Sequence, residues 1–586
     1  MNRYKDRDPL KTIKYIKDAL LNNSILTTEK WVNDIDDIYS VKIDIDGTNF
    51  FVNGKGSTKA FALASAYGEL MERLQNLAYF RMKTDFLKKD NNNYNFRDEK
   101  ILFNNKEYFE HSIKEWVQLI KPEQCFIQKD LISQLNLIIK PNDSTIRYYR
   151  YSEYLGDKTF WLPYEVTDIF YGTNGMVAGN SEAEAMVQGL SEILERYVTK
   201  CLLTGNITPP DINEEVIDNF SSIKQYKRTI EKSGQYKIQL KDLSLGLGIP
   251  AVGLILFNLK EKKYFVKIAV HPVLEIALER CFTELMQGKK LNNYANMREI
   301  GYSHKCAKEG SNALSIFYTG EGVYPYSLFK KNPTYENQVY INKFDTNTEM
   351  CTMLINLINN LGYTVFIKDV SFLELNSYHI IVPGMSEMLN LTDIKHIQDI
   401  HKFSVFNDIL KNLDSLSKDN AKFLLNYLET YKIPDETKLI SLLKNISLKK
   451  DNFYRKTNVA FFKCMLYLFL KDYGNALKYI RIHNKKISDS KNSLSNNYYK
   501  CFEHILALKT DGLDKIDSVE ILRVFYPTKV INEVFEDIKE NPFKYFPHFD
   551  CDNHCTNCTI YKDCLYTNEK RLYDMIVNLF YSKQNK

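Results

Sequence analysis

Apolar positions recur at helical spacing in several separate stretches of the chain. From Thr58 to about Phe80, Leu63, Ala66, Leu70, Leu74 and Leu77 fall on one side of a helix, and Ser65, Glu69, Glu72 and Asn76 fall on the other. Glu182 to about Leu203 and HPVLEIALERCFTELMQGKK (271–290) read as two further long helices, and residues 9–22 as a short one. Strand patterns lie between them. VKIDIDGTNFFVNGKG (41–56) alternates as two strands around a turn and feeds a Gly-Lys-Gly loop. TFWLPYEVTDIF (159–170) reads as extended, and YGTNGMVAGNS (171–181) as a Gly/Asn-rich loop in which Asn180 or Ser181 is placed to cap the following helix. Residues 236–244, 249–258, 263–270, 361–371 and 376–385 read as strands, and KKDNNNYNFRDEK (88–100) as a polar loop.

Beyond Met385 the strand signal fades. AKFLLNYLETYKI, NVAFFKCMLYLFLKDYGNALKYIRIH and NNYYKCFEHILALKT suggest paired amphipathic helices with a tetratricopeptide-like texture, although no strict 34-residue period is visible. The expectation is an α+β domain over residues 1–395 with duplicated strand/helix halves, followed by a helical C-terminal domain over 396–586.

A chain of 586 residues is too long for one core, which fits that division. Its 26% charged and 44% hydrophobic residues are ordinary for a soluble protein. The 78 basic and 73 acidic residues leave +5, which by itself gives no argument for a nucleic-acid partner. The N-terminus has no continuous apolar core of a signal peptide, and no run approaches the ~18 apolar residues of a membrane span, so a cytoplasmic protein is expected. Seven cysteines are scattered singly and read as reduced thiols. The other four, Cys551-x3-Cys555-x2-Cys558-x5-Cys564, are a candidate structural zinc or Fe–S site, with uncoordinated thiols as the alternative.

Three helical segments carry a related polar triplet: Ser65-x3-Glu69-x2-Glu72, Gln188-x3-Glu192-x2-Glu195 and Arg280-x3-Glu284-x2-Gln287. The i, i+4, i+7 spacing puts each triplet on one stripe. One such stripe is an ordinary solvated face. These contain no lysine, the first two are each followed by arginine (Arg73, Arg196), and each of those follows a glycine-rich stretch. Five carboxylates at matching places would repel unless neutralised, and a divalent metal with phosphate is the economical neutraliser. Gly54-Lys55-Gly56-Ser57 lacks the Walker spacing, so it is no P-loop.

The strings NGKGSTKAFALASAYGELMER, NGMVAGNSEAEAMVQGLSEILER and HPVLEIALERCFTELMQGK resemble, in order and separation, the three hallmark segments of the YcaO superfamily, over most of residues ~40–390. The resemblance implies a fold that binds Mg-ATP between acidic helices and activates a peptide amide by phosphorylating its oxygen. Position by position, it implies that Glu69, Glu72, Glu192, Glu195 and Glu284 hold magnesium. Lys55, Ser65, Asn180, Gln188, Arg196 and Gln287 would contact the nucleotide, and Glu192, Glu195 and Arg196 would be catalytic. Gln188 stands where many members carry histidine. The chain ends in MIVNLFYSKQNK, without the Pro-x-Pro-x-Pro tail common in azoline-forming members. It looks most like stand-alone bacterial members described as accessory to β-methylthiolation of a small-subunit ribosomal protein, beside a radical methylthiotransferase. A homodimer is the family precedent. The alternatives are a peptide-tailoring enzyme making a thioamide or azoline, and a non-catalytic ATP-binding scaffold.

Overall fold

Gly54-Lys55-Gly56, expected as a loop, is the end of a strand spanning Phe51–Gly56. Its glycines serve contact. A Cβ at Gly54 would stand 2.5 Å from Ala66 N, and one at Gly56 2.5 Å from Ala62 N, so the strand lies directly on the helix Lys59–Gln75. Thr58 caps that helix by accepting from Phe61 N at 3.1 Å.

The computed structural model describes residues 4–35, 38–83, 96–120, 128–142, 145–285, 298–299, 304–338, 343–391, 393–443, 446, 448–449, 453–487, 493–512, 515–539, 542–543, 562 and 564–584. Two units emerge: Met1–Met82 with Asp90–Gln398 and Glu569–Lys586, and Lys83–Lys89 with Asp399–Asn568.

The first unit is mixed α/β, and its sheets are antiparallel. β1 (Thr27–Ile35), β2 (Ile38–Ile45) and β3 (Phe51–Gly56) form a meander. β4 (Glu99–Phe103), β5 (Thr145–Glu153), β6 (Thr159–Pro163) and β7 (Met176–Gly179) belong to a second sheet. β8 (Tyr236–Asp242), β9 (Ala251–Asn258), β10 (Lys263–Val270) and the short β11 (Arg298–Glu299) form a third, in the order β11-β10-β9-β8. β12 (Phe366–Asp369) and β13 (Asn376–Ile381) complete the second sheet as β4-β5-β12-β13-β7, with β6 on β5.

Two expectations change here. Residues 164–170 are a helix, not extended chain: Pro163 ends β6 and opens the helix Tyr164–Phe170, which buries Val166 and Phe170 at helical spacing. Only Phe366–Asp369 of the 361–371 run is strand, because its start closes the helix Asn347–Asn360. The 88–100 loop lies mainly outside the described residues.

The long helix Glu182–Thr204 runs through the core of this unit, with Leu190, Ile193, Leu194 and Val198 fully buried among residues of β7, β10 and β13. Ser181, rather than Asn180, caps it, accepting from Glu184 N at 3.1 Å. Gly175 (φ +78°) precedes it, and a Cβ there would fall on the Ile380 carbonyl. The helix Leu274–Leu285 packs on β9 and β10. The C-terminal helix Tyr566–Gln584, from Glu569 onward, belongs to this unit: Phe580 packs on Phe96 and Phe372, Tyr573 packs on Phe80, and Asn49 N donates to Glu569.

The second unit is helical. Lys418–Thr430, Val459–Phe469, Tyr473–Ile487, Ser493–Thr510 and Thr528–Lys539 pack in succession around Leu424, Leu428, Phe462, Leu466, Ile480 and Ile505. Of the cysteine cluster, Cys551, Cys555 and Cys558 lie outside the described residues; Cys564 is half-buried. No described helix is long and apolar enough to cross a membrane.

Candidate functional site: an acidic cleft

One cleft of about 650 Å³ in the first unit gathers Lys55, Ser65, Glu69, Glu72, Asn180, Gln188, Glu192, Glu195, Arg196 and Glu284 into its walls. They come from β3, from Lys59–Gln75, from the end of β7, from Glu182–Thr204 and from Leu274–Leu285. Gln287 lies outside the described residues. Asn76 leaves the stripe on which periodicity put it: it is the C-cap of its helix, buried, donating to Glu72 O at 3.0 Å.

The first two triplets make matching contacts. Arg73 Nη1 lies 2.9 Å from Glu72 Oε1 and its Nη2 3.5 Å from Glu69 Oε1. Arg196 Nη2 lies 2.8 Å from Glu192 Oε1. Each arginine also meets a methionine sulfur, Met176 Sδ at 4.0 Å and Met388 Sδ at 3.4 Å. The third triplet differs: Arg280 donates to Gln188 Oε1 and to Val270 O (3.1 Å), joining the second and third helices. Asn180 accepts from Thr12 Oγ1 at 2.8 Å and donates to Glu184.

Charge in the cleft is unevenly balanced. Burial, then the neighbouring Glu284 and Glu192, push the Glu195 carboxyl up to about 8, despite Lys267 and Lys55. Burial likewise raises Glu72 well above the usual carboxylate range, against the pull of Arg73 and with Glu192 and Glu69 adding to the rise. Glu284 goes the other way: burial would raise it, but Lys55 at 2.8 Å and Lys267 at 3.9 Å hold it below its ordinary value. At Glu195 and Glu72, burial and the neighbouring carboxylates thus outweigh the nearby cations, even though Arg73 pairs with Glu72.

That is the fit expected of a site for hard divalent cations. The donors are carboxylate oxygens, the type magnesium takes in one or two copies together with phosphate oxygens. Among the described residues no three acidic, thiol or imidazole groups form a ready-made ion cage. Instead arginines and lysines cross-link the glutamates, so an ion with its phosphates would take the place of some of those contacts.

Residues the sequence reading missed also line the cleft. Lys267 is one, and a lysine inside the apolar strand run KYFVKIAV was its available signal. Lys5, Arg7 and Thr12, from the N-terminal segment, are others, and nothing in their local pattern marks them.

Residues 53–386 match the family model of the YcaO cyclodehydratases, described as ATP- and Mg2+-binding, and residues 404–550 match the YcaO cyclodehydratase C-terminal domain. The chain belongs to the YcaO family. It is 28% identical over 522 residues to the ribosomal protein S12 methylthiotransferase accessory factor YcaO of Escherichia coli K12, covering 84% of this chain and 86% of that one. It is 27% identical over 568 residues to an uncharacterized protein of Haemophilus influenzae, covering 91% and 94%. Among solved structures, YcaO from Methanopyrus kandleri bound with AMPPCP and Mg2+ aligns at 16% identity and TM-score 0.42, covering 66% of this chain and 93% of that one. A heterocyclase in complex with substrate and cofactor aligns at 17% and 0.46, covering 66% of this chain and 53% of that one.

Proposed function

We propose that the cleft binds Mg-ATP and spends its γ-phosphoryl group on a peptide amide, in the service of β-methylthiolation of a small-subunit ribosomal protein. The observation that carries the ATP site is the meeting of three acidic helices in one cleft, with Glu195 and Glu72 pushed upward by burial and by neighbouring carboxylates. The choice of ribosomal protein is supported by the name of the E. coli relative and by the length over which the two chains align.

In this reading Glu69, Glu72, Glu192, Glu195 and Glu284 hold the metal. Bound magnesium would neutralise the phosphate charge that builds up as the bridging bond breaks. Arg196 and Lys55 approach phosphate oxygens, and Ser65, Asn180, Gln188 and Gln287 orient the nucleotide by hydrogen bonds. A nucleophile adds to the amide carbon, and after or along with that addition the amide oxygen attacks the γ-phosphorus, the bond to the β–γ bridging oxygen breaks, and ADP leaves. Enclosure by Glu192, Glu195 and Arg196 aligns this displacement.

Mass spectrometry of small-subunit ribosomal proteins from cells with and without the gene tests the assignment. Loss of a methylthio group from one protein in the deletion supports it. An unchanged ribosomal protein with an oxygen-to-sulfur exchange or water loss on another peptide would favour the tailoring reading instead.

A further inference from the structure

The acidic cleft has a direction. Side chains of the helix Glu182–Thr204 line it from Glu184 to Thr199, a run of about 22 Å at ~1.5 Å per residue. At the start of that run the wall is polar and is closed by the N-terminal segment. Lys5 Nζ lies 3.1 Å from Glu184 Oε1, and Thr12 Oγ1 donates to Asn180 at 2.8 Å. In the middle the acidic helices meet: Glu195 feels Glu284, and Glu72 feels Glu192. Past them, at Arg196, the wall changes character. It is the last turn of the helix Gly310–Thr319, which brings Phe317 and Tyr318 to the cleft.

These two neighbours do different things. The Phe317 ring lies 5.3 Å from the Arg196 guanidinium carbon, against a face of the group that pairs with Glu192 at 2.8 Å and meets Met388 Sδ at 3.4 Å. Phe317 therefore holds the arginine in place. Tyr318 is 62% exposed, and among the described residues nothing hydrogen-bonds to it or stacks on it. Its hydroxyl stands over Gly172, where a Cβ would come within 3.3 Å of it. Loss of water around the hydroxyl, then Asp168, raise it above its ordinary value, against the pull of Arg196. An unoccupied aromatic face thus stands in the cleft beside the arginine.

In the function proposed above, on which this inference rests, Asn180 and Gln188 orient the nucleotide, and Glu192 and Glu195 hold its metal. In-line displacement at the γ-phosphorus puts the incoming oxygen opposite the departing ADP. The acceptor then arrives from the Arg196 end. We propose that Tyr318 is the acceptor-binding residue: an uncharged stretch of the substrate polypeptide packs on its ring and presents the amide beside Arg196. Tyrosine suits that task, since it offers a broad apolar face with a wet polar tip and has few rotatable bonds to immobilise. Adenine is the other flat ligand such a ring could take, and the experiment separates the two.

Calorimetry with AMPPCP and Mg2+ on the full-length chain compares the natural protein with Tyr318→Ala. Affinities within about 2-fold of each other are expected, and binding shows that the variant is folded. A loss of about 10-fold or more would put the ring on the nucleotide and overturn the inference. Mass spectrometry then follows whichever polypeptide the natural gene modifies, in deletion cells carrying the natural chain, Tyr318→Ala or Tyr318→Phe. The rate of modification should fall at least about 10-fold with Tyr318→Ala and stay near the natural rate with Tyr318→Phe, which keeps the ring. Undiminished modification by Tyr318→Ala would overturn the inference, and so would an equal loss in both variants, which would assign the role to the hydroxyl. The readings fail separately. A natural chain that does not bind the analogue refutes the nucleotide site itself. A modified polypeptide that is not ribosomal refutes the ribosomal assignment and leaves the acceptor wall standing. Normal analogue binding with undiminished modification by Tyr318→Ala refutes the acceptor wall alone.

Discussion

Lys55 Nζ stands 2.8 Å from Glu284 Oε1, so a cation carried by β3 answers the carboxylate of the third acidic helix. The glycines on either side of Lys55 press β3 onto the first acidic helix, which brings the lysine to the cleft. Phosphate oxygens are its natural alternative partner. Lys55→Met is expected to lower kcat/KM for ATP roughly 10–100-fold, the loss of one charge-assisted hydrogen bond of about 1.5–3 kcal/mol. ADP release measures it, and an unaltered kcat/KM would show that Lys55 meets no phosphate.

Two glycines near the cleft should respond in opposite directions. Gly54→Ala forces a methyl against Ala62 and Ala66 and should destabilise the first unit by about 1–3 kcal/mol. Gly68, inside the helix Lys59–Gln75, has nothing within 4 Å of where a Cβ would go. Gly68→Ala should stabilise by about 0.5–1 kcal/mol, because glycine is a poor helix interior residue. Urea unfolding followed by tryptophan fluorescence gives both signs.

Two buried histidines should each withdraw stability from the first unit as pH falls below about 6.5. Burial drives the His379 imidazole down to about 3, with Lys368 adding to the shift, and drives His271 well below its ordinary value with help from Arg280 and Lys5. In the unfolded chain both titrate near ~6.5. Above that pH neither state is protonated and the stability is intact. As pH falls below it, the unfolded chain takes up protons the folded one refuses, and each group withdraws about 1.4 kcal/mol per pH unit. For His379 the loss continues down to about 3. The carboxyls of Glu195 and Glu72, raised in the folded chain, act with the opposite sign over the same range, so the histidine effect is read as a difference between proteins. On going from about pH 7 to about pH 5 the urea midpoint of the natural chain should drop relative to that of His379→Gln, and parallel profiles would contradict burial of a neutral imidazole at His379.

Glu99→Gln should be among the most damaging single substitutions. It leaves Arg81, Arg147 and Lys368 buried without their carboxylate, and removing one partner of such a cluster costs about 3–5 kcal/mol. Thermal unfolding of the variant checks this; a shift as small as that of a surface Glu→Gln change would mean the cluster is already satisfied without Glu99.

The acidic helices were legible in the sequence because their signal is local: one helical period carries both the buried leucines and the opposed glutamates. The role of Gly54 and Gly56 was not, because a glycine needed for a loop and one needed for strand-on-helix contact look alike until Ala62 and Ala66 are in place. Residues 164–170 were misjudged for a related reason. Their aromatic and β-branched residues favour strand, while the Pro163 boundary and burial of Val166 and Phe170 select helix. Lys267, Arg7 and the return of the C-terminal helix to Phe80, Phe96 and Phe372 depend on long-range packing that periodicity does not encode.

Calorimetric titration with a non-hydrolysable ATP analogue tests the central claim most directly, with and without Mg2+, on the natural chain and on the Glu192→Gln/Glu195→Gln double variant. Binding by the natural chain that requires Mg2+, and is weakened at least about 10-fold in the double variant, is the predicted result. Equal affinity in the two proteins, or binding indifferent to Mg2+, would contradict an Mg-ATP site built on these carboxylates.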